Sequence, residues 1–430
     1  MSENKNNESL ATTQSKRLST IDFLSRSLAF LILLFLIYAA ITSPDNIHAT
    51  DFSGSIYIAG SMVKDGKASE LYLEPSATTS PFNDYAHKQL LHMPQYARTI
   101  FLYPPLVAFV TQPLSCLSPH AAYIFWQMLS IFALLLSCVF IASTTKQRWN
   151  TYFCMSLLYA PIFQHFFAGQ LDLVFVLLPL SAGYFMLMKG HSFAGGLAWS
   201  LIFLKPQFLP VVLLLIAYQL MTKHWINIIG FIIGMVGLLL GNIFCLGPSI
   251  CQNWISSLMQ GAILEDYLYT KGSYMVSSWP MAVLERLPAD HKAVLQMAVY
   301  LLIMIIAVNA LFICKQLAKG ADNKNKIVVP FVLGIFVLPM VSRHLLFYDL
   351  SVLVIGGMLI FGSPIFNANK KLIRDLVATW LFIDLYLIVF GFNNIKNIAS
   401  PILITILIWF YIRLVLEVQR IIKELKPSLH

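Results

Sequence analysis

The sequence predicts an all-α polytopic membrane protein with about twelve transmembrane helices, and three observations carry that expectation. The 430 residues are 58% hydrophobic and 11% charged, against about 25% charged in an ordinary soluble domain. Apolar windows close to the ~20 residues needed to cross the hydrocarbon as a helix recur along the chain. Most lysines and arginines fall on segments that alternate crossing would place with the N-terminus, the bias of cytoplasmic loops. The net charge of +9 therefore speaks of membrane orientation. No basic patch alternates with exposed aromatics, so no nucleic-acid partner is expected.

In chain order, a cytoplasmic tail over 1–23 precedes a first span at 24–43. Its apolar core, Leu28 to Ile41, follows Lys16, Arg17 and Arg26 and reads as an uncleaved helix instead of a removed leader. Further spans are expected at 119–143, 151–167, 172–189, 192–204, 207–221, 225–247, 293–314, 327–342, 345–362, 372–391 and 399–417, with a cytoplasmic tail at 418–430. Residues 24–417 thus form one transmembrane domain with long outer loops at 44–118 and 248–292. In the first loop Phe52, Ile56, Ala59 and Val63 recur at helical spacing opposite Ser53, Ser55, Ser61 and Lys64, which predicts a short helix lying in the membrane interface. Ser118-Pro119 forms a helix start, with serine as cap and proline in the first turn. Of the six cysteines, no pair has zinc-ligand spacing. Cys245 and Cys251 flank one helix end and either pair in an oxidising compartment or remain free thiols.

The chemical residues gather in the outer segments. Asp51 opens the interfacial helix and is either a general base or a helix cap. Gly169-Gln170-Leu171-Asp172 separates two spans; it offers polar contacts to a substrate, or it is a turn followed by an acid at a helix N-terminus. Lys205-Pro206 parts two short spans, where irregular backbone persists only if it lines a cavity. Lys205 is a counter-charge for an anionic headgroup or a snorkelling lysine. Arg343, His344, Tyr348 and Asp349 crowd seven residues at the hydrocarbon edge, where charge is costly. The first two suit a phosphate and the last two a sugar, unless the four form a structural network. Asp384 lies deep in a span with Arg413 as one candidate partner at a different depth; otherwise it is protonated or bonded to a facing helix. Tyr267, Tyr269, Tyr274 and Trp279 either stack on an acceptor glycan or sit as interfacial aromatics. There is no glycine-rich phosphate loop, no nucleophile elbow and no paired-histidine metal site.

Taken in order, Asp51-Phe52 with its following helix to Gly66, Phe101-Leu102-Tyr103-Pro104-Pro105, Gly169 to Asp172, Leu204-Lys205-Pro206, and His344 with Tyr348 and Asp349 resemble glycosyltransferase family 87. The resemblance covers about Asp51 to Ile360. It implies the C-type membrane glycosyltransferase architecture and an inverting transfer of one sugar, mannose or similar, from a polyprenyl-phosphate donor to a hydroxyl of a lipid or glycan acceptor. Asp51 matches the family's base. Lys205, Arg343 and His344 are candidates for the donor phosphate, and Tyr103, Gln170, Asp172, Tyr348 and Asp349 for sugar or acceptor. No metal or other cofactor is required, because a lipid phosphate already leaves well. The expected setting is a bacterial cytoplasmic membrane with the site facing the exterior. A secondary transporter or flippase of lipid-linked sugars, with Asp384 essential, is the alternative; a non-catalytic envelope scaffold is a third.

Overall fold

The computed structural model describes residues 25–42, 51–72, 80–90, 99–145, 147–259, 275–284, 286–287, 292–319, 327–391 and 396–425. Among these the ordered elements are helical, with one isolated antiparallel bridge between Val276 and Leu346. Tyr267, Tyr269 and Tyr274 lie outside the described residues, as do the predicted tail 1–23 and residues 426–430, whereas 418–425 of the second predicted tail continue the last helix.

Five of the described helices are long and apolar enough to cross a membrane: α1 (Ser25–Thr42), α5 (Pro119–Ala142), α11 (Trp225–Leu246), α14 (Lys292–Lys319) and α18 (Lys396–Leu425). A sixth exists if the bent pair Ala160–Ala168 and Leu173–Met188 is taken as one span. The protein is a multi-pass membrane protein, but the expected twelve spans are corrected to five or six among the described residues. Three physical reasons account for the difference.

Proline breaks one expected span. The run 151–167 becomes α6 (Trp149–Leu157) and α7 (Ala160–Ala168), because Pro161 has no N–H for the carbonyl four residues back. Tyr159 accordingly turns extended, at φ −91° and ψ 116°. Other runs are helical but short. Helix α9 (Ser192–Ser200) runs on to Leu204, and α10 (Leu209–Met221) follows a single 3₁₀ turn. Helix α15 (Val328–Val341) has 14 residues, about 21 Å at 1.5 Å per residue, against roughly 30 Å of hydrocarbon. All of its residues except Val341 are buried, so protein and not lipid is its solvent. Helix α16 (Leu353–Gly362), preceded by the 3₁₀ helix Phe347–Val352, is covered in the same way. Finally, α17 (Lys370–Gly391) carries Lys370, Lys371, Arg374, Asp375 and Asp384 and is not among the apolar crossings.

The helix expected after Asp51 is present, but its serine side is not the wet face expected. A π-helical turn, Phe52–Tyr57, leads into α2 (Ile58–Lys64). Ser53 and Ser61, expected on the wet face, are buried. The far side of α2 is covered by α3 (Pro81–Gln89), α4 (Pro105–Thr111) and the 3₁₀ turn Gln112–Cys116. Two of the hydroxyls are satisfied within the protein: Ser61 donates to Tyr57 O at 2.9 Å and Ser55 to Ile100 O at 2.8 Å. The Ser118 cap does form, accepting from Ala121 N at 3.3 Å. All six cysteines are free thiols. Around this frame, α9 packs against α11 so closely that a Cβ on Gly196 would meet Asn227 O at 2.0 Å, the small-residue approach common between membrane helices.

Candidate active site

Four interruptions in the helices meet at one place. Asp51 heads the π-helical turn. The second interruption is Gly169–Asp172, where the chain bends by 119°. Gly169 has φ 69°, and a Cβ there would stand 2.5 Å from Phe52 Cβ. The left-handed turn and the close seat on Phe52 both require glycine, and together they set Gln170 facing Asp51. The third is Lys205, whose backbone at φ −134° and ψ 79° lies outside the α region, which is disfavoured for a residue before proline. The fourth is the entry to the 3₁₀ helix at Phe347, pinned where Ser277 bonds Leu345 and Leu346 at 3.0 and 2.8 Å.

Asp51 makes no capping bond with its side chain. Its Oδ2 instead accepts a hydrogen bond from Gln170 Nε2. Gln170 is itself held on three sides. Tyr103 Oη donates to its Oε1 at 3.0 Å, Trp126 Nε1 donates to its carbonyl at 3.1 Å, and its own N–H reaches His165 O at 3.2 Å. Asp51 is exposed as a residue, and its carboxyl group is the part that protein encloses. That burial raises its pKa above the ordinary 3.8, with Asp172 adding repulsion; the hydrogen bonds from Gln170 and Tyr348 and the charge of Lys205 oppose the rise without cancelling it.

Behind Asp51 lies a buried ionic trio. Lys205 Nζ donates to Asp172 and, at 2.7 Å, to Asp349 Oδ1; all three side chains are at most 1% exposed. Asp349 is oriented by Leu346 N–H at 2.7 Å and approached by Gln207 Nε2 at 3.4 Å. The rings of Tyr348 and Phe208 lie 5.3 and 5.4 Å from Lys205 Nζ. Burial alone would lower the lysine pKa, but the two carboxylates outweigh it and raise it above 10.5, so the ammonium stays charged.

Seven of the nine sequence-derived residues therefore converge: Asp51, Tyr103, Gln170, Asp172, Lys205, Tyr348 and Asp349. Arg343 and His344 flank the cluster and are half-buried. The Arg343 guanidinium reaches Tyr300 Oη at 3.2 Å, and its carbonyl accepts from Ser278 at 3.0 Å. Trp279 belongs to the core, its indole donating to Met340 O. Asp384 pairs across helices: it accepts from the first N–H of α7, Ala160, at 2.7 Å, whereas Arg413 pairs with Asp375 at 2.9 Å. Sequence reasoning missed His165 and Gln207. His165 is fully buried in the last turn of α7, 3.9 Å from Asp172. A polar residue one helical turn before a chain-breaking glycine, Gly169, was the available signal for His165. Among the described residues no three His, Cys, Asp or Glu side chains are grouped to hold a metal ion.

The geometry defines a multi-pass helical membrane protein with a carboxylate, Asp51, and a buried ionic trio gathered at its helix breaks. The family model for glycosyltransferase family 87 matches residues 101–342, more than half of the chain, and the protein belongs to that family of glycosyltransferases. Tyr103, Gln170, Asp172 and Lys205 fall inside the matched segment; Asp51, Arg343, His344, Tyr348 and Asp349 fall outside it. No curated protein and no solved structure matches the chain.

Proposed function

We propose that this glycosyltransferase moves one sugar, mannose or similar, from a polyprenyl phosphate to a hydroxyl of a lipid or glycan acceptor, with inversion, on the extracytoplasmic face of a bacterial cytoplasmic membrane. The observation that carries the reading is the single cluster in which an oriented carboxylate, Asp51, stands next to a charged lysine and sugar-compatible hydrogen-bonding groups. Asp51 is the general base. It takes the acceptor's proton as that oxygen attacks the anomeric carbon, while the lipid phosphate departs with the bonding electrons. Burial makes it a better base than an exposed aspartate, and Gln170 fixes its direction. Lys205, Arg343 and His344 answer the charge that grows on the phosphate. Tyr103, Gln170, Asp172, Tyr348 and Asp349 are placed for hydroxyls of sugar or acceptor.

A lipid-borne donor is supported by a cavity of about 470 Å³ between α1, α5 and the end of α7. Phe35, Ile131, Phe132 and Phe167 are among its apolar walls. Tyr123, another of its walls, packs edge-on against Phe52, next to the base, with ring centroids 5.9 Å apart. Transport has less support, because the acid it would depend on, Asp384, is engaged in capping α7.

Incubating the purified protein with a panel of polyprenyl-phosphate sugars and an acceptor extract is expected to release free lipid phosphate from at least one donor. Release from none of them, with uptake or flipping instead, would overturn the reading. The pH dependence adds a second expectation. Because the Asp51 pKa is raised, the acid limb of kcat/KM lies above the ordinary carboxylate value of 3.8. Activity rises with pH through that raised pKa as the carboxylate ionises. A pH–rate profile with its acid limb at or below 3.8 contradicts this.

A further inference from the structure

His165 has no part in the mechanism above, yet its surroundings are unusual. It is completely buried, and neither ring nitrogen has a hydrogen bond. Opposite it, at 3.9 Å from Nδ1, stands Asp172 Oδ2, also buried and also without a hydrogen bond. Native interiors rarely leave such groups unpaired. In the tautomer with its proton on Nδ1, a donor and an acceptor face each other about 1 Å beyond hydrogen-bonding distance, too close for an intervening water. Meanwhile the other oxygen of Asp172 holds Lys205, whose second partner is Asp349. Held between two carboxylates and 1% exposed, Lys205 has no free approach for a phosphate.

We propose that His165 is a positioning residue for the donor. When the polyprenyl phosphate enters, Asp172 shifts by about that 1 Å onto the His165 Nδ1–H, and Lys205 turns the released N–H to the phosphate oxygen. One ion pair is exchanged for another. Asp172 keeps a hydrogen-bond donor as Lys205 turns, and the orphaned pair becomes a bond. The inference rests on the proposed polyprenyl-phosphate reading, and it concerns donor affinity instead of the chemical step.

The test compares His165→Phe with His165→Asn. Phenylalanine keeps the ring volume and removes the donor; asparagine leaves a hole but keeps an N–H near the Nδ1 position. The expected result is a donor KM raised about tenfold or more in His165→Phe with kcat nearly unchanged, the pattern of lost ground-state binding. His165→Asn is expected to return the KM to within about threefold of wild type despite a lower melting temperature. A packing role predicts the reverse order. Equal KM values in wild type and His165→Phe, or equal defects in both variants, overturn the proposal while leaving the donor reading intact. If the wild-type protein takes no polyprenyl-phosphate donor, that reading fails and the proposal falls with it. His165→Leu serves the same comparison if the phenyl ring prevents folding.

Discussion

Asp51→Asn is expected to lower kcat by about 10²–10⁴-fold, the usual contribution of a positioned base, with donor KM little changed. The asparagine side chain has the same shape, and its Oδ1 can still accept from Gln170, so the site's geometry persists while its proton acceptor is gone. Steady-state release of lipid phosphate measures the effect; equal losses in kcat and kcat/KM would mark an interaction made only in the transition state. Stability separates this role from that of a helix cap. Asp51 makes no capping bond, so its replacement removes nothing from the π-helical turn. Its folded pKa is raised, so the folded state binds a proton more readily than the unfolded chain, and ionised Asp51 opposes folding above its unfolded pKa. The asparagine variant should therefore melt at or above the wild-type temperature at neutral pH. Near wild-type turnover by Asp51→Asn would remove Asp51 from the mechanism, and a marked loss of stability would return it to a structural role.

The residues that could be found in the sequence are those that interrupt an apolar run. Gln170, Asp172 and Lys205 stand beside Gly169 and Pro206, where backbone must leave the helix, and polar groups at membrane depth are kept only where they find partners. Their meeting at Asp51 depends on long-range packing that spacing does not encode: Tyr103, Gln170 and Asp51 join across 67 and 119 residues of chain. His165 and Gln207 escaped because each is one polar residue with no charge to make its burial conspicuous. The count of spans failed for a related reason. An apolar run records that a helix is dry, not what keeps it dry. Val328–Val341 is as apolar as any crossing helix, and protein surrounds it. Asp384 was legible as an anomaly, but its partner is a backbone N–H at the start of α7, exposed by the Pro161 break, and no side-chain pattern identifies that.

Lys205→Met is expected to destabilise the protein by about 3–5 kcal/mol, the scale for removing one partner from a buried ion pair. Methionine roughly matches the volume of lysine, so packing is nearly conserved and the change is electrostatic. Asp172 and Asp349, at most 1% exposed, would then face each other without a counter-charge, and Asp172 is already short of one hydrogen bond. Removing the charges together should recover most of the loss, since an apolar or neutral substitute for a whole buried ionic group is often close to neutral. The triple variant Lys205→Met, Asp172→Asn, Asp349→Asn is therefore expected to melt near wild type and yet to transfer no sugar. Lys205→Arg should not rescue either property, because the larger planar guanidinium has no room where the lysine is 1% exposed. Thermal melting in detergent and the lipid-phosphate assay read the two effects separately. If Lys205→Met melts like the wild type, the trio contributes little to stability. If the triple variant also transfers sugar, the lysine is not part of the catalytic machinery. The contrast matters because inactivity alone in a lysine variant cannot distinguish a lost phosphate contact from a collapsed site, whereas a stable, inactive triple variant can only have lost chemistry or binding.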